Sequence, residues 1–138
     1  MRVTDKAFVD SNVILYLFTD DERAATAESL FEPEATISVQ VLNEVTNVLR
    51  RKSKLSWRET VQALELVRSL CQVEPLTLET HERSLAIAQR YSLSVYDACI
   101  AASALVAGCN VLYSEDMQHG VSIERRLRII NPFRAGAR

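Results

Sequence analysis

The sequence alternates short runs of β-forming residues with longer stretches in which apolar residues recur at helical spacing. Strands are predicted near 7–9, 36–38, 73–76, 111–113 and 127–130, with helices between them. This alternation is typical of an α/β fold with a mainly parallel sheet of about five strands. No linker or repeat divides the 138 residues, so one domain over 1–138 is predicted, with a tail that frays from about 134.

Local signals predict several helix and strand ends. Thr19 with Glu22, and Ser56 with Glu59, have the spacing of capping boxes, and the two helices they open are predicted to run to about 31 and 71. Another helix is predicted over 79–91. Gly108 fits the end of the next helix, and Pro132 stops the last strand.

Asp97 is the only charged residue between Arg90 and Glu115, in a run that otherwise has the composition of a buried helix. An unpaired carboxylate in apolar surroundings is costly unless it is neutralised, hydrogen-bonded or bound to a metal. Asp97 is therefore expected to share a site with other groups. The alternative is structural, since Ser94 and Asp97 also have the spacing of a capping box.

Three further acids occupy comparable positions. Asp10 and Asp116 each lie at or just beyond the carboxyl end of a predicted strand. Glu44 lies at the edge of an apolar helical stripe, between Val41 and Val48. Taken singly, each acid has an ordinary explanation as a turn, loop or solvated residue, and only their joint placement favours one site.

Ligands of parallel sheets bind at the carboxyl ends of the strands, so the four acids are expected to converge on one edge. Four carboxylates in one pocket repel one another, and a hard cation such as Mg²⁺ or Mn²⁺ relieves the repulsion. Ser11, Asn12 and Ser114 flank the acids and are predicted to orient them, although turn formation explains them nearly as well. His119 is expected to be structural or on the surface.

The cysteines and the apolar runs bear on the cellular compartment. Cys71, Cys99 and Cys109 are far apart and embedded in apolar sequence, which predicts buried reduced thiols and no zinc site. No apolar run approaches membrane-spanning length, and no signal peptide is evident, so a cytoplasmic protein without a membrane contact is expected.

The formal net charge of −2 does not by itself indicate a nucleic-acid binder. Setting aside the four acids leaves +2, and the basic residues fall in two groups. The groups comprise Arg50, Arg51, Lys52, Lys54 and Arg58, and Arg125, Arg126, Arg128, Arg134 and Arg138. Solvated helix ends and a phosphate-contacting surface explain such clusters equally well.

The segments around these residues resemble PIN-domain ribonucleases over nearly the whole chain. The matching segments are Phe-Val-Asp10-Ser-Asn-Val-Ile-Leu, Glu44 in an apolar helix, Tyr-Asp97-Ala and Leu-Tyr-Ser114-Glu-Asp116-Met-Gln-His-Gly, with Ile-Asn-Pro-Phe near the end. Within the family, the size and the ending resemble the VapC toxins of bacterial and archaeal toxin–antitoxin pairs.

The resemblance implies helices on both faces of the sheet and a Mg²⁺- or Mn²⁺-dependent endoribonuclease that leaves 5′-phosphate and 3′-hydroxyl ends. Asp10, Glu44, Asp97 and Asp116 would then be the catalytic, metal-binding acids, with Ser114 as a helper. The implied partners are an RNA substrate such as tRNA or rRNA, a cognate antitoxin that occludes the cleft, and a second copy in a homodimer.

One departure from the family and two rival functions complete the interpretation. Many family members have a further acid two residues after Asp116, where this chain has Gln118, and neighbouring Glu115 is a possible substitute. A metal-dependent phosphatase or phosphotransferase is a rival, but its usual Asp-x-Asp start is absent because Asn12 occupies the second position. A non-catalytic RNA-binding domain of the same fold is the other rival.

Overall fold

A computed structural model describes residues 5–32 and 34–134. The strands are β1 (Ala7–Val9), β2 (Ala35–Ser38), β3 (Cys71–Glu74), β4 (Val111–Tyr113), β5 (Ser122–Ile123) and β6 (Leu127–Ile130). The helices are α1 (Ser11–Ile14), which continues as a 3₁₀ helix (Leu15–Phe18), then α2 (Arg23–Ser29), α3 (Val39–Arg51), α4 (Trp57–Leu70), α5 (Leu78–Tyr91) and α6 (Val95–Val106).

The six strands form one sheet in the order β3-β2-β1-β4-β6-β5. All neighbours are parallel except β5, which runs antiparallel to β6. The chain builds outward from β1 to β3 and then returns to the other side of β1 with β4, so the strand order reverses between β1 and β4. The predicted α/β fold with a mainly parallel sheet is confirmed, and its ligand-binding crevice is expected at this reversal.

The helices that carry the predicted site begin at side-chain caps. Ser38 accepts a hydrogen bond from the backbone N–H of Val41 and so opens α3 directly from the end of β2. Ser94 opens α6 in the same way, by accepting from the backbone N–H of Asp97. Along α3, the side chains of Val45 and Leu49 continue a fully buried stripe. These caps fix where each helix starts, and therefore where Glu44 in the second turn of α3 and Asp97 in the first turn of α6 lie.

Small residues give α6 its place in the core. Ala98, Ala101, Ala102 and Ala104 are buried in α6. Because alanine side chains are short, the helix backbone packs close to the sheet. The larger core side chains come from the strands, where Phe8, Val9 and Leu112 are fully buried, along with most of β6. The central strands β1 and β4 are therefore enclosed on both faces.

Some predicted boundaries were wrong. The third strand covers Cys71–Glu74 and not 73–76, because Pro75 has no N–H to continue a ladder. Strand β5 was not predicted at all, since two residues give no apolar run. The helix predicted to run from 20 to about 31 is the shorter α2, which ends at Ser29.

Only one of the two predicted capping boxes forms. Ser56 and Glu59 exchange both capping bonds at the start of α4. Thr19 instead ends the 3₁₀ helix, and its hydroxyl donates to the carbonyl of Tyr16. The N–H of Arg23 is bound by the Asp21 carboxylate. Helix α2 therefore begins after a turn and has no side-chain cap of its own.

The remaining predictions about the chain have mixed outcomes. All three cysteines are free, as predicted, although only Cys109 is fully buried. Gly108 follows α6 with a φ of +79°, in the left-handed region that favours glycine at a helix end. The predicted fraying of the tail falls on residues 135–138, which lie outside the described residues. Within the described ranges, every helix is too short or too polar to cross a bilayer.

Candidate active site

The structure brings all four predicted acids to one pocket of about 270 Å³ at the carboxyl edge of the sheet. The lining consists of Asp10, Ser11, Asn12, Glu44, Asn47, Val48, Asp97 and Asp116. Asp10 follows β1 and Asp116 follows β4, while Glu44 and Asp97 come from α3 and α6. The pocket therefore lies where the strand order reverses, as the sequence predicted for these side chains.

Asp10 lies at the bottom of the pocket and is only 3% exposed. Its Oδ1 accepts from the N–H of Ser11 at 2.7 Å, which caps α1. Its Oδ2 accepts from the Ser114 hydroxyl at 2.9 Å and from Asn12 Nδ2 at 3.2 Å. The Asp10 N–H donates to the carbonyl of Tyr113 at 2.9 Å, which ties the ends of β1 and β4 together. Asp10 is therefore fixed in position by both strands.

The environment of Asp10 disfavours its ionised form. Burial raises the pKa of this carboxyl from 3.8 to about 6, against the opposing effect of hydrogen bonds from Ser114 and Ser11. Repulsion from the carboxylates of Glu44 and Asp97 raises the pKa further. Such a group gains stability from any cation that enters the pocket.

The other three acids lie nearer the solvent. Glu44 is partly buried, and its two carboxylate oxygens accept from the Ser11 hydroxyl at 2.9 Å and from Gln40 Nε2 at 3.3 Å. Partial burial raises the pKa of Asp97, and the nearby charge of Asp116 adds to the increase. Asp116 is exposed at the pocket mouth. Negative charge therefore extends from the buried bottom of the pocket to its opening.

The donor set fits a hard divalent cation. All four acids offer carboxylate oxygens, which Mg²⁺ and Mn²⁺ prefer, and the lining includes neither histidine nor cysteine among the residues that the structure describes. In residues 5–32 and 34–134, no three acidic, histidine or cysteine side chains are already close enough to hold an ion between them. A cation would therefore have to draw the carboxylates together, and its attraction for them would replace the repulsion that Glu44 and Asp97 exert on Asp10.

Ser114 and Asn12 link the acids to the backbone. The fully buried Ser114 hydroxyl donates to Asp10 and accepts from Asn12 Nδ2 at 3.3 Å and from the N–H of Met117 at 3.3 Å. Asn12 Oδ1 accepts from the N–H of Glu115 at 3.0 Å. Both side chains thus connect the start of α1 to the loop after β4, an arrangement that can orient the carboxylates.

Glu115 does not face the pocket. Its carboxylate accepts from the Tyr16 hydroxyl at 2.6 Å and forms an ion pair with Arg23 at 3.1 Å. The Arg23 guanidinium also lies 4.7 Å above the centre of the Tyr16 ring. Gln118 is exposed and outside the pocket lining. In the described chain, neither residue supplies the further acid that many family members have after Asp116.

His119 has a structural contact, as the sequence suggested. Its Nδ1 accepts from the N–H of Asn131 at 3.0 Å and so joins the β4–β5 loop to the segment after β6.

Sequence reasoning missed Asn47, which lines the pocket, and Gln40, which donates to Glu44. Both were recoverable, because they lie one helical turn after and before Glu44 and therefore share its face of α3.

The chain is similar to known proteins in sequence pattern and in fold. The model of the PIN domain family matches residues 7–120. No curated protein sequence matches the chain. Among solved structures, a VapC toxin of Mycobacterium tuberculosis, named as one that cleaves the sarcin–ricin loop, is similar with 25% identity and a TM-score of 0.66. The similarity covers 80% of this chain and 90% of that toxin.

Two complexes show the same fold at lower identity. A toxin–antitoxin complex from Klebsiella pneumoniae has 22% identity and a TM-score of 0.71, covering 93% of this chain and 98% of that chain. A DNA-bound VapBC complex from Salmonella typhimurium has 20% identity and a TM-score of 0.68, covering 91% and 97%. The fold thus extends over almost the full length of these neighbours.

Proposed function

Because the chain belongs to the PIN-domain family, we propose that it is a divalent-metal-dependent endoribonuclease and the toxin of a toxin–antitoxin pair. The observation that carries the proposal is the convergence of Asp10, Glu44, Asp97 and Asp116 on one pocket. Four carboxylates that line one pocket suit cation-assisted hydrolysis of a phosphodiester better than they suit RNA binding without cleavage. Without a cation, their negative charge repels the phosphate.

Each residue would have a defined part in this reaction. The four acids would hold Mg²⁺ or Mn²⁺, which when bound acts as a Lewis acid toward phosphate and lowers the pKa of water. Ser114 and Asn12 would keep the Asp10 carboxylate directed into the pocket through the hydrogen bonds described above. Ser11 would do the same for Glu44. The products would carry 5′-phosphate and 3′-hydroxyl ends.

Asn12 argues against the phosphatase alternative. Its amide donates to Asp10 and Ser114, and its carbonyl oxygen accepts from the N–H of Glu115. Both ends of the side chain are therefore engaged in holding the loop. Asn12 accordingly serves as a structural link and not as the second acid of an Asp-x-Asp pair.

The partners follow from the family and from the surface. The neighbouring toxin–antitoxin complexes support an antitoxin that covers the cleft. Leu76, Leu78, Val95 and Tyr96 are exposed around one end of α5 and α6, three of them lining a cavity of about 240 Å³. Apolar surface of this kind is typical of an interface, and we assign it to a second copy of the chain.

The free cysteines support a reducing, cytoplasmic location.

The test is cleavage of a tRNA and rRNA panel with Mn²⁺ or Mg²⁺. Asp97→Asn preserves the shape of the side chain and leaves the Ser94 cap intact, because that cap binds the Asp97 backbone N–H. Glu79→Gln is the matched control, as it removes an exposed acid from the first turn of α5, away from the pocket. Discrete cuts with 5′-phosphates are expected from the wild type and from Glu79→Gln.

The same cuts should disappear with EDTA and in the folded Asp97→Asn protein. Cleavage that survives Asp97→Asn would remove the pocket from the mechanism. RNA binding that is unaffected by Asp97→Asn, with no cleavage by any form of the protein, would instead support the non-catalytic alternative.

A further inference from the structure

A third cavity, of about 220 Å³, lies at the end of the sheet opposite the carboxylate pocket. Its lining comprises Asp5, Asn110, Val111, Ser122, Arg125, Arg126 and Arg128. We call this cavity the arginine pocket. Val111 pairs with Arg128 at the amino ends of β4 and β6, whereas Asp116 follows the carboxyl end of β4. The arginine pocket is therefore separate from the proposed reaction site.

The three arginines present unneutralised charge. Arg125, Arg126 and Arg128 are all exposed, and within residues 5–32 and 34–134 none of their guanidinium groups forms an ion pair or a side-chain hydrogen bond. The nearest acid in sequence, Glu124, is paired with Arg83 of α5 at 3.0 Å. Among the residues that the structure describes, Asp5 is the one acid in the lining, so this described lining carries three positive charges against one negative charge.

The turn that presents these arginines is held in an unusual conformation. Glu124 and Arg125 have φ angles of +54° and +57°, in the left-handed region that usually favours glycine or asparagine. Two such residues form the tight turn between β5 and β6, closed by the N–H of Arg126 donating to Ile123 O at 3.0 Å. The Glu124 N–H donates to the Tyr91 hydroxyl at 2.7 Å, which anchors the turn to α5.

This anchoring has a consequence for binding. The contact with α5 holds the backbone from which Arg125 and Arg126 project, so less backbone conformational entropy is lost when a ligand binds. The planar guanidinium fork matches phosphate oxygens, and Ser122 and Asn110 add hydroxyl and amide groups at the rim. The ordinary explanation, that basic residues balance the carboxyl ends of helices, does not fit these arginines, because they lie in the β5–β6 turn and in β6 and not in the last turn of a helix.

We propose that the arginine pocket binds a backbone phosphate of the RNA at a distance from the scissile bond. This inference rests on the proposed ribonuclease function and specifies how the RNA is held. Strand β4 and its flanking residues, Asn110 to Ser114, separate the two pockets by about 13 Å at 3.3 Å per residue. An RNA that occupies both pockets would pass around the side of the sheet formed by β5 and β6, so the arginine pocket extends the RNA contact beyond the scissile bond.

The test is binding of fluorescently labelled total tRNA in EDTA, measured by anisotropy at several KCl concentrations. Arg128→Gln is expected to weaken binding about tenfold and to reduce the slope of log K against log salt by about one. Arg128→Lys should keep the slope and recover part of the affinity, because lysine retains the charge and loses the fork. Arg68→Gln is the matched control. It removes an exposed arginine that lies just before the amino end of β3, at the same end of the sheet as the arginine pocket.

The outcomes separate this inference from the function on which it rests. If the wild type binds no RNA, both fail. If the wild type binds and Arg128→Gln matches Arg68→Gln in affinity and slope, the arginine pocket is not an RNA contact, while the ribonuclease proposal stands. If Arg128→Gln loses antitoxin affinity and keeps RNA affinity, the pocket belongs to an acidic protein segment and the inference is overturned. Thermal unfolding of each variant verifies the fold.

Discussion

Replacing Asp10 by asparagine should remove a pH-dependent cost from the folded protein in the absence of metal. The pKa of this carboxyl rises from 3.8 to about 6 on folding. At about 1.4 kcal/mol for each pH unit, the ionised form destabilises the folded state by about 3 kcal/mol. The folded protein holds the proton more tightly than the unfolded chain does, so the free energy of unfolding falls as the pH rises from about 4 to about 6.

The substitution also has a cost that does not depend on pH. In the wild type, Asn12 Nδ2 donates to Asp10 Oδ2 at 3.2 Å. In the variant, the N–H groups of the new amide would face this donor, so that two donors would meet. A poorly matched buried donor costs about 1–3 kcal/mol. The net change at one pH is therefore small, and the informative quantity is the difference in slope between wild type and variant.

The assay is urea unfolding followed by circular dichroism in EDTA, at intervals between pH 4 and pH 7.5. Relative to Asp10→Asn, the wild type should lose about 2.5 kcal/mol over this range, because part of the full value of about 3 kcal/mol is already lost at pH 4. Asp116→Asn removes an exposed carboxylate of the same pocket and should change stability by less than about 0.5 kcal/mol. Adding Mn²⁺ at pH 7.5 should stabilise the wild type and not Asp10→Asn. Parallel pH profiles for the wild type and Asp10→Asn would refute the reasoning.

Three further predictions concern the surroundings of the pocket. Ser114→Ala removes a buried hydroxyl that donates to Asp10. Calorimetric titration should therefore show an affinity for Mn²⁺ that is lower by about 10- to 100-fold. An unchanged affinity would contradict the proposed orienting role of Ser114. Glu115→Gln breaks an ion pair with α2, and should cost at most about 1 kcal/mol in thermal unfolding while leaving Mn²⁺ affinity intact, because this carboxylate faces away from the pocket. Leu78→Glu replaces an exposed apolar side chain of the proposed dimer surface with an acid, in the first turn of α5, where the helix dipole tolerates it. Light scattering should show that this variant is a monomer. The wild type and the control variant Leu66→Glu should both be dimers.

The sequence predicted the convergence of the four acids on one pocket better than it predicted the ends of the helices and strands, while the catalytic and metal-binding roles of these acids stay predictions. Asp10 and Asp116 follow strands whose apolar residues form uninterrupted runs, so strand ends and acids were visible together. Asp97 was conspicuous because its neighbours are apolar. Ser94 caps α6 by accepting from the Asp97 N–H, but this is only half of the capping box that the alternative proposed. The Asp97 carboxylate instead lines the pocket.

Features that depend on tertiary contacts were not visible. Strand β5 has two residues and exists because β6 pairs with it across a turn of left-handed residues. The usual signal for such a turn is glycine or asparagine, which this turn lacks. The pairing of Glu115 with Arg23 joins residues 92 positions apart, which no local pattern encodes. Long-range pairing thus explains most of what sequence reasoning missed.

The contact between Asp10 and β4 also determines when the pocket can exist during synthesis. Ser114 lies 104 positions after Asp10, and its N–H donates to Ile130 of β6. The carboxylate pocket therefore cannot form until nearly the whole chain has left the ribosome. At about 5–20 residues per second, synthesis of such a chain takes on the order of 10 s. During that interval the nascent chain lacks the assembled pocket that the proposed ribonuclease activity requires, so on this proposal it cleaves no RNA before its synthesis is nearly complete.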